Sequence, residues 1–356
     1  MNATPLLLAD PSPCLRWLAL RDLFALAPDD AELHELAPLR AGDPLVRGLL
    51  NLQAEDGSWL PAAFGGGWGA GNRILATALG LARLGYLGYD WRFPAAARAA
   101  DFLFARQAAD GSWPLPADQV ESEEILDERK KTRASSYTMI PLQTALPLRG
   151  LAACGLADDP RSERAYDWLL AQRLPDGAWP TGLAAAGVYG FVGGYRRLAH
   201  SRWGCRSNTT GALICLAFHP GRRNGPEARA ALDLLLGRET RDESALGFEV
   251  ARLMGAEPAR GFITSFARFD LGLLLDLCWR VGVSNSDPRL ADLVRDVRAL
   301  RGPYGMWSYP HRPQAARWVT FDLARSLRAL DLGAGDWVGL EPRTPFQPYP
   351  RKPKRF

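Results

Sequence analysis

Five helix-starting prolines, at Pro44, Pro94, Pro160, Pro226 and Pro288, recur at spacings of 50, 66, 66 and 62 residues. This periodicity constrains the chain more than any other feature. In three cases the preceding residue is Asp (Asp43, Asp159, Asp287). Asp as N-cap before Pro at the first helical position marks a helix start, because the N–H that proline lacks would have no intrahelical partner there. Each start leads into the same kind of segment, as in Pro94-AAARAADFLFARQAADGSW, Pro160-RSERAYDWLLAQRLPDGAW and Pro44-LVRGLLNLQAEDGSW.

The segments also end alike. Gln53-x3-Gly57-x-Trp59, Gln107-x3-Gly111-x-Trp113, Arg173-x3-Gly177-x-Trp179 and Arg301-x3-Gly305-x-Trp307 keep a glycine and a tryptophan. Glycine ends a helix in the left-handed conformation without a Cβ penalty. The unit from Pro226 keeps its helix, EARAALDLLLGRE, but its turn reads RDESALGF and has lost the Gly-x-Trp. After each turn comes a more apolar helix rich in small residues: 70–85, 135–155, 207–218, 265–282 and 315–332. A further one, 12–26, precedes the first unit.

Alternating charged and apolar helices point to an outer layer around a buried one. The fold class expected is all-α: a single α/α toroid of about five to six helical hairpins spanning residues 1–340, then a proline-rich basic tail, 341–356. An open solenoid would show the same periodicity. A chain of 356 residues, 47% hydrophobic, can bury such a core.

The pattern Arg98-Ala99-x2-Phe102-Leu103-x3-Gln107-x3-Gly111-x-Trp113 resembles the QW repeat of squalene-hopene and oxidosqualene cyclases and is similar to the repeats of protein prenyltransferase β subunits. The resemblance covers residues 12–332. It departs at Arg173 and Arg301, which replace the Gln, and at the fourth unit. It implies that Gln107 and Trp113 tie outer helices together, and that the central cavity takes an isoprenoid or another apolar substrate. The acidic D-x-D-D motif that the cyclases use to protonate an alkene is absent here, as is the D-x-C zinc pair of the prenyltransferases. The chain is also one helical domain where those cyclases use two. Whether it is an enzyme stays open on these grounds.

Candidate site residues come from position in the repeats. Phe269-Asp270-Leu271 and Phe321-Asp322-Leu323 place a carboxylate near the starts of two consecutive inner helices, so Asp270 and Asp322 are the catalytic candidates. Paired carboxylates in an apolar ring raise each other's pKa and can act as a general acid or a diphosphate–magnesium anchor. Capping of their own helices, or pairing with Arg268 or Arg317, is the structural alternative. Arg268, Tyr137, Trp68, Trp203, His200 and Arg317 are the substrate-binding candidates at the rims. Asp276 and Arg280 have the spacing of an ordinary intrahelical ion pair.

No metal-ligand set is expected. His200 and Cys205 make two potential zinc ligands, short of the three or four that zinc sites use, and a helix over 207–218 holds His219 about 18 Å away. Magnesium would enter only with a diphosphate ligand, and the cofactor is otherwise unknown. The glycine-rich 64–72 lacks the Lys-Ser/Thr of a phosphate loop. The charged insertion 121–133 reads as a solvated loop; the minor reading is a cationic rim, from Lys131 and Arg133 beside Tyr137, that would receive a diphosphate or another anion.

A net charge of +4 over 43 basic and 39 acidic residues is too balanced for nucleic acid. Five scattered cysteines without a C-x-x-C pair, no basic leader and no run of about 18 apolar residues suggest a cytoplasmic protein without a transmembrane segment. Arg351, Lys352, Lys354 and Arg355 in the tail offer at most weak membrane contact. The functional reading is a toroid acting on or binding an isoprenoid or other apolar small molecule. A non-catalytic binder of a lipid, peptide or protein is the alternative, and a carbohydrate-active α/α barrel a third.

Overall fold

The computed structural model describes residues 4–65, 72–114, 140–190, 192, 196–237, 244–258, 266, 269–333 and 335–339. Among them run fourteen α-helices: α1 (Thr4–Leu8), α2 (Pro13–Asp22), α3 (Ala31–Leu39), α4 (Pro44–Asn51), α5 (Arg73–Tyr86), α6 (Pro94–Phe104), α7 (Pro141–Ala153), α8 (Pro160–Ala171), α9 (Arg206–Phe218), α10 (Pro226–Leu236), α11 (Phe248–Leu253), α12 (Leu271–Val281), α13 (Pro288–Ala299) and α14 (Ala316–Leu332). Two short strands, β1 (Ser244–Ala245) and β2 (Phe269–Asp270), pair in parallel.

All five periodic prolines open helices, namely α4, α6, α8, α10 and α13. Where Asp precedes, its carboxylate accepts the N–H two residues on, at Leu45, Arg161 and Arg289. This supplies a partner for an N–H that the helix itself leaves unpaired.

The Gly-x-Trp turns join the two layers by one repeated device. The indole N–H of Trp59, Trp113, Trp179 and Trp307 donates to the carbonyl ten residues earlier, at Leu49, Leu103, Leu169 and Val297. The backbone N–H of each Trp donates to a threonine hydroxyl of the following inner helix, at Thr77, Thr144, Thr209 and Thr320. All four rings are fully buried. Gln53 and Gln107 extend the tie sideways, donating to Ala95 and Arg161 at the start of the next outer helix. Gly111, at φ 92°, lies so close to that helix that a Cβ would stand 2.4 Å from the Arg164 carbonyl.

The inner helices are α2, α5, α7, α9, α12 and α14. From α5 onward each packs on the next, and α14 packs back against α2. The ring closes through contacts more than 300 residues apart in sequence: Arg317 with Asp10 at 2.7 Å, and Arg328 Nε donating to the Leu23 carbonyl. The structure is therefore an α/α toroid and not an open solenoid.

Two details depart from the sequence reading. The inner helices start later than the apolar runs, at Arg73, Pro141 and Leu271. The two Phe-Asp-Leu segments, expected at matching depth, also differ. Phe269 and Asp270 are taken up by β2, which makes Asp270 the N-cap of α12, whereas Asp322 is the seventh residue of α14. Strand pairing with β1 delays the helix start in one repeat and has no counterpart in the other. The degenerate fourth turn, in place of a Gly-x-Trp, leads into α11, which packs against α5, α12 and α14.

Candidate functional site

A pocket of about 520 Å³ lies among the inner helices, and all six contribute to its wall. Aromatic rings come from Trp17, Tyr86, Tyr89 and Phe218, and α11 forms the floor with Glu249, Val250 and Leu253. The charged part of the wall sits on α7, α12 and α14.

Asp322 is the centre of that charged part. It is 4% exposed, accepts from Arg325 at 2.6 Å, and accepts from the Tyr86 hydroxyl at 3.3 Å across the lumen. Burial pushes its carboxyl up to about 6; Arg325 acts against this, and the like charge of Asp276 adds to it. Asp276, one helix over, accepts from Trp279 Nε1 at 3.0 Å, Arg280 Nε at 2.8 Å and Arg325 at 3.3 Å. Burial alone would raise its pKa, but the Arg280 and Arg325 guanidinium groups outweigh it and hold the carboxyl below its ordinary value. One carboxylate is thus kept ionised while its neighbour is brought close to neutral pH. That division of roles suits proton donation at Asp322.

The floor carries a second buried ion cluster. Glu249 accepts from Arg149 at 2.5 Å and from Arg252 at 2.7 and 2.9 Å. These two arginines outweigh burial and keep Glu249 ionised.

Asp270 is placed differently from Asp322. It accepts the backbone N–H groups of Gly247 (2.8 Å), Glu249 (2.7 Å) and Gly272 (3.0 Å), so it caps both α11 and α12. Burial still raises its carboxyl to about 6. It borders a separate void of about 20 Å³, room for one water at most. The two carboxylates therefore do not open on one pocket, because β2 holds Asp270 back at the helix start.

The remaining candidates scatter. Arg317 pairs with Asp10 at the opposite rim. Trp203 is exposed and stacks on Tyr189, with ring centroids 5.8 Å apart, in the segment joining α8 and α9; His200 lies in the same segment. None of the three lines the pocket. Trp68, Tyr137 and Arg268 lie outside the described residues, as do most of 64–72, the insertion 121–133 and the tail 341–356.

His219 meets Glu163 at 2.8 Å and Asp158 at 3.4 Å, the one group of three potential metal ligands among the described residues. Its Nδ1 accepts the Gly221 N–H at 3.0 Å, so Nε2 carries the proton toward Glu163. Arg222 also occupies Glu163, at 2.5 Å. The arrangement is an ion-paired junction between α8 and α9, without the free Nε2 lone pair that a metal would need.

Sequence reasoning passed over Tyr86, Arg149, Glu249 and Arg325, and took the Asp276–Arg280 pair as structural. The Asp322–Arg325 and Asp276–Arg280 spacings were the available signal.

Residues 39–194 match the squalene-hopene cyclase C-terminal domain family model. Human lanosterol synthase is 32% identical over 154 residues, covering 41% of this chain and 19% of that enzyme. Mouse lanosterol synthase is 30% identical over 132 residues, covering 36% and 16%. The chain thus spans about a fifth of the length of these relatives. The solved structure of the type II terpene cyclase MstE from Scytonema aligns with 81% of this chain and 96% of that one, at 16% identity and a TM-score of 0.34. The family match includes Tyr86 and Arg149 and ends well before Asp276 and Asp322.

Proposed function

We propose that this terpenoid-cyclase-like chain binds an isoprenoid or comparably apolar ligand in the lumen of its toroid, with a neutral oxygen-bearing end against Asp322. The observation that carries this reading is Asp322 itself, a buried carboxyl raised to about 6 on the wall of a 520 Å³ pocket. A protonated carboxyl donates to an alcohol, carbonyl or ether oxygen, which accepts a proton far more readily than an alkene carbon does. The pocket size falls within the range of small-molecule sites. Trp17, Tyr89, Phe218, Leu253 and Leu273 offer apolar surface to the ligand body.

Electrostatics supports a neutral end over a diphosphate. Each arginine of the pocket already faces a carboxylate: Arg21 with Asp22, Arg149 with Glu249, Arg280 with Asp276, and Arg325 with Asp322 and Asp276. A diphosphate would have to compete with these carboxylates for the arginines. A magnesium ion would find both carboxylates already bound to arginine. On this reading the Gly-x-Trp turns serve as the QW-type ties that hold the ring, and the site works in the cytoplasm.

A non-catalytic binder is the second reading, favoured by α11, whose six buried residues close off one side of the pocket. One experiment separates the two. Farnesol, geranylgeraniol and their diphosphates are titrated into purified protein, wild type, Asp322→Asn and Asp322→Leu, and product formation is followed in parallel. The proposal expects the alcohols to bind at least tenfold tighter than the diphosphates and Asp322→Leu to abolish binding. Asn keeps a hydrogen-bond donor but no acidic proton, so turnover lost in Asp322→Asn with binding retained identifies an enzyme. Binding without turnover in the wild type identifies a carrier. Tighter diphosphate binding, or binding indifferent to Asp322→Leu, overturns the reading.

A further inference from the structure

All four aromatic rings on the wall of the 520 Å³ pocket already hold a cation. Trp17 has Arg40 at 3.9 Å and Arg21 at 4.7 Å from its ring centroid, and Tyr89 has Arg40 at 4.4 Å. Phe218 has Arg280 at 4.2 Å, and Tyr86 has Arg325 at 5.8 Å. Arg21, Arg280 and Arg325 line the pocket themselves and pair with carboxylates. Arg40 is not part of the lining, and the two rings are what hold its guanidinium.

Arg40 opens the short 3-10 turn Arg40–Gly42 between α3 and α4 and is 7% exposed. Its Nη2 donates to the Leu87 carbonyl at 2.8 Å, and its Nε is buried without a hydrogen-bond partner. The nearby Asp43 accepts instead from the Ser12 hydroxyl and from the N–H groups of Cys14 and Leu45. A buried charge is costly unless it is compensated. Trp17 and Tyr89 supply that compensation, because a planar, weakly hydrated guanidinium stacks well on a ring face. The stack is closely packed. Gly88, at φ 83° in the turn after α5, comes so near that a Cβ would stand 2.8 Å from the Trp17 ring and 3.1 Å from Arg40 Nη2.

A ring attracts a cation through the negative charge of its faces. A guanidinium on one face draws on that charge and repels a second cation on the other, since the two would stand roughly 8 Å apart in a medium of low dielectric. An uncharged chain gains dispersion and apolar burial from the same ring, and these a bound guanidinium leaves intact. The carboxylates of the wall do not restore the attraction for a cation, because Glu249, Asp276 and Asp322 each accept from an arginine of the lining and Asp90 accepts from Arg92.

We propose that Arg40 is a positioning residue for Trp17 and Tyr89 and, with the arginines on Phe218 and Tyr86, makes the pocket select an uncharged apolar chain over one that carries a positive charge. That the chain enters this pocket rests on the function proposed above; the occupation of the rings does not. The same wall disfavours a positive charge that develops on a chain carbon, so proton donation by Asp322 stops at the ligand's oxygen.

The test uses the full chain and two alcohols of one shape, 7,7-dimethyloctan-1-ol and (6-hydroxyhexyl)trimethylammonium, which differ only in a carbon or a charged nitrogen at the branch point. The quaternary nitrogen has no N–H to offer a carboxylate. Dissociation constants of both are measured by calorimetry on wild type, Arg40→Met and Arg40→Gln, with folding checked by circular dichroism. The proposal expects wild type to bind the neutral alcohol at least tenfold tighter, and Arg40→Met to narrow that ratio at least fivefold. Desolvation of the ammonium contributes to the wild-type preference, so the change in the ratio is the deciding quantity. A purely structural Arg40 would weaken both alcohols alike and leave the ratio where it was, which overturns the proposal, as does tighter binding of the ammonium to wild type. Should Arg40→Met not fold, Arg40→Gln, which keeps a donor for the Leu87 carbonyl, gives the same reading. If wild type binds neither alcohol, the proposed function fails. The ammonium binding to Arg40→Met would then still support the selection, and its failure to bind there would overturn it.

Discussion

At the scale of single residues, two aspartates with the same neighbours in sequence have come to do different work. Asp270 is consumed by three backbone N–H groups, while Asp322 faces the lumen with one arginine and one tyrosine. Both carboxyls are raised to about 6. A folded-state pKa above the unfolded value gives stability that is full below about pH 4 and lost as pH rises through 6. Glu249 and Asp276 are lowered, so their contributions are present at neutral pH and lost only as pH falls below about 4. The two windows do not overlap. Asp322→Asn should therefore gain on wild type by about 2 to 3 kcal/mol between pH 4 and pH 8, a shift of about two units at 1.36 kcal/mol each. Asp270 keeps the residual slope. Urea denaturation at several pH values checks this, and parallel profiles for variant and wild type would mean that burial does not raise the Asp322 carboxyl. The Asp322–Arg325 pair was readable as an i,i+3 spacing. What could not be read is that Asp276 and Tyr86 reach the same place, since that depends on three different helices arriving at one point.

At the scale of elements, the sequence was most legible where the chemistry is local. Proline at the first helical turn, Asp before it and a left-handed glycine after it are decided by backbone sterics within a few residues, and all five outer helices start as those residues require. The Trp ties were partly legible. The Gly-x-Trp spacing was visible, but the threonine that receives each Trp N–H lies 13 to 31 residues on, in a helix whose register only packing sets. Trp113→Ala should cost on the order of 3 to 5 kcal/mol, because it removes a fully buried ring and its bond to Leu103. A melting temperature unchanged by that substitution would mean the turns do not hold the layers together. The fourth unit was the least legible. RDESALGF looked like a turn that had lost its motif, whereas Ala245 belongs to a strand and Gly247 is the N-cap of α11, which supplies part of the pocket wall.

At the scale of the whole molecule, closure turns a row of hairpins into a vessel. Periodicity cannot show closure, because it depends on Arg317, Arg325 and Arg328 of the last inner helix meeting Asp10, Asp22 and Leu23 near the first. Once the ring is closed, six inner helices converge and put Asp322 on the wall of one pocket. The most direct measurement of the account is a crystal structure of the protein with geranylgeraniol. The account predicts the alcohol oxygen within about 3 Å of an Asp322 carboxyl oxygen, with the chain against Trp17, Tyr89, Phe218 and Leu253. A lumen left empty, with the alcohol bound instead on the exposed Tyr189–Trp203 stack or elsewhere on the surface, would contradict it.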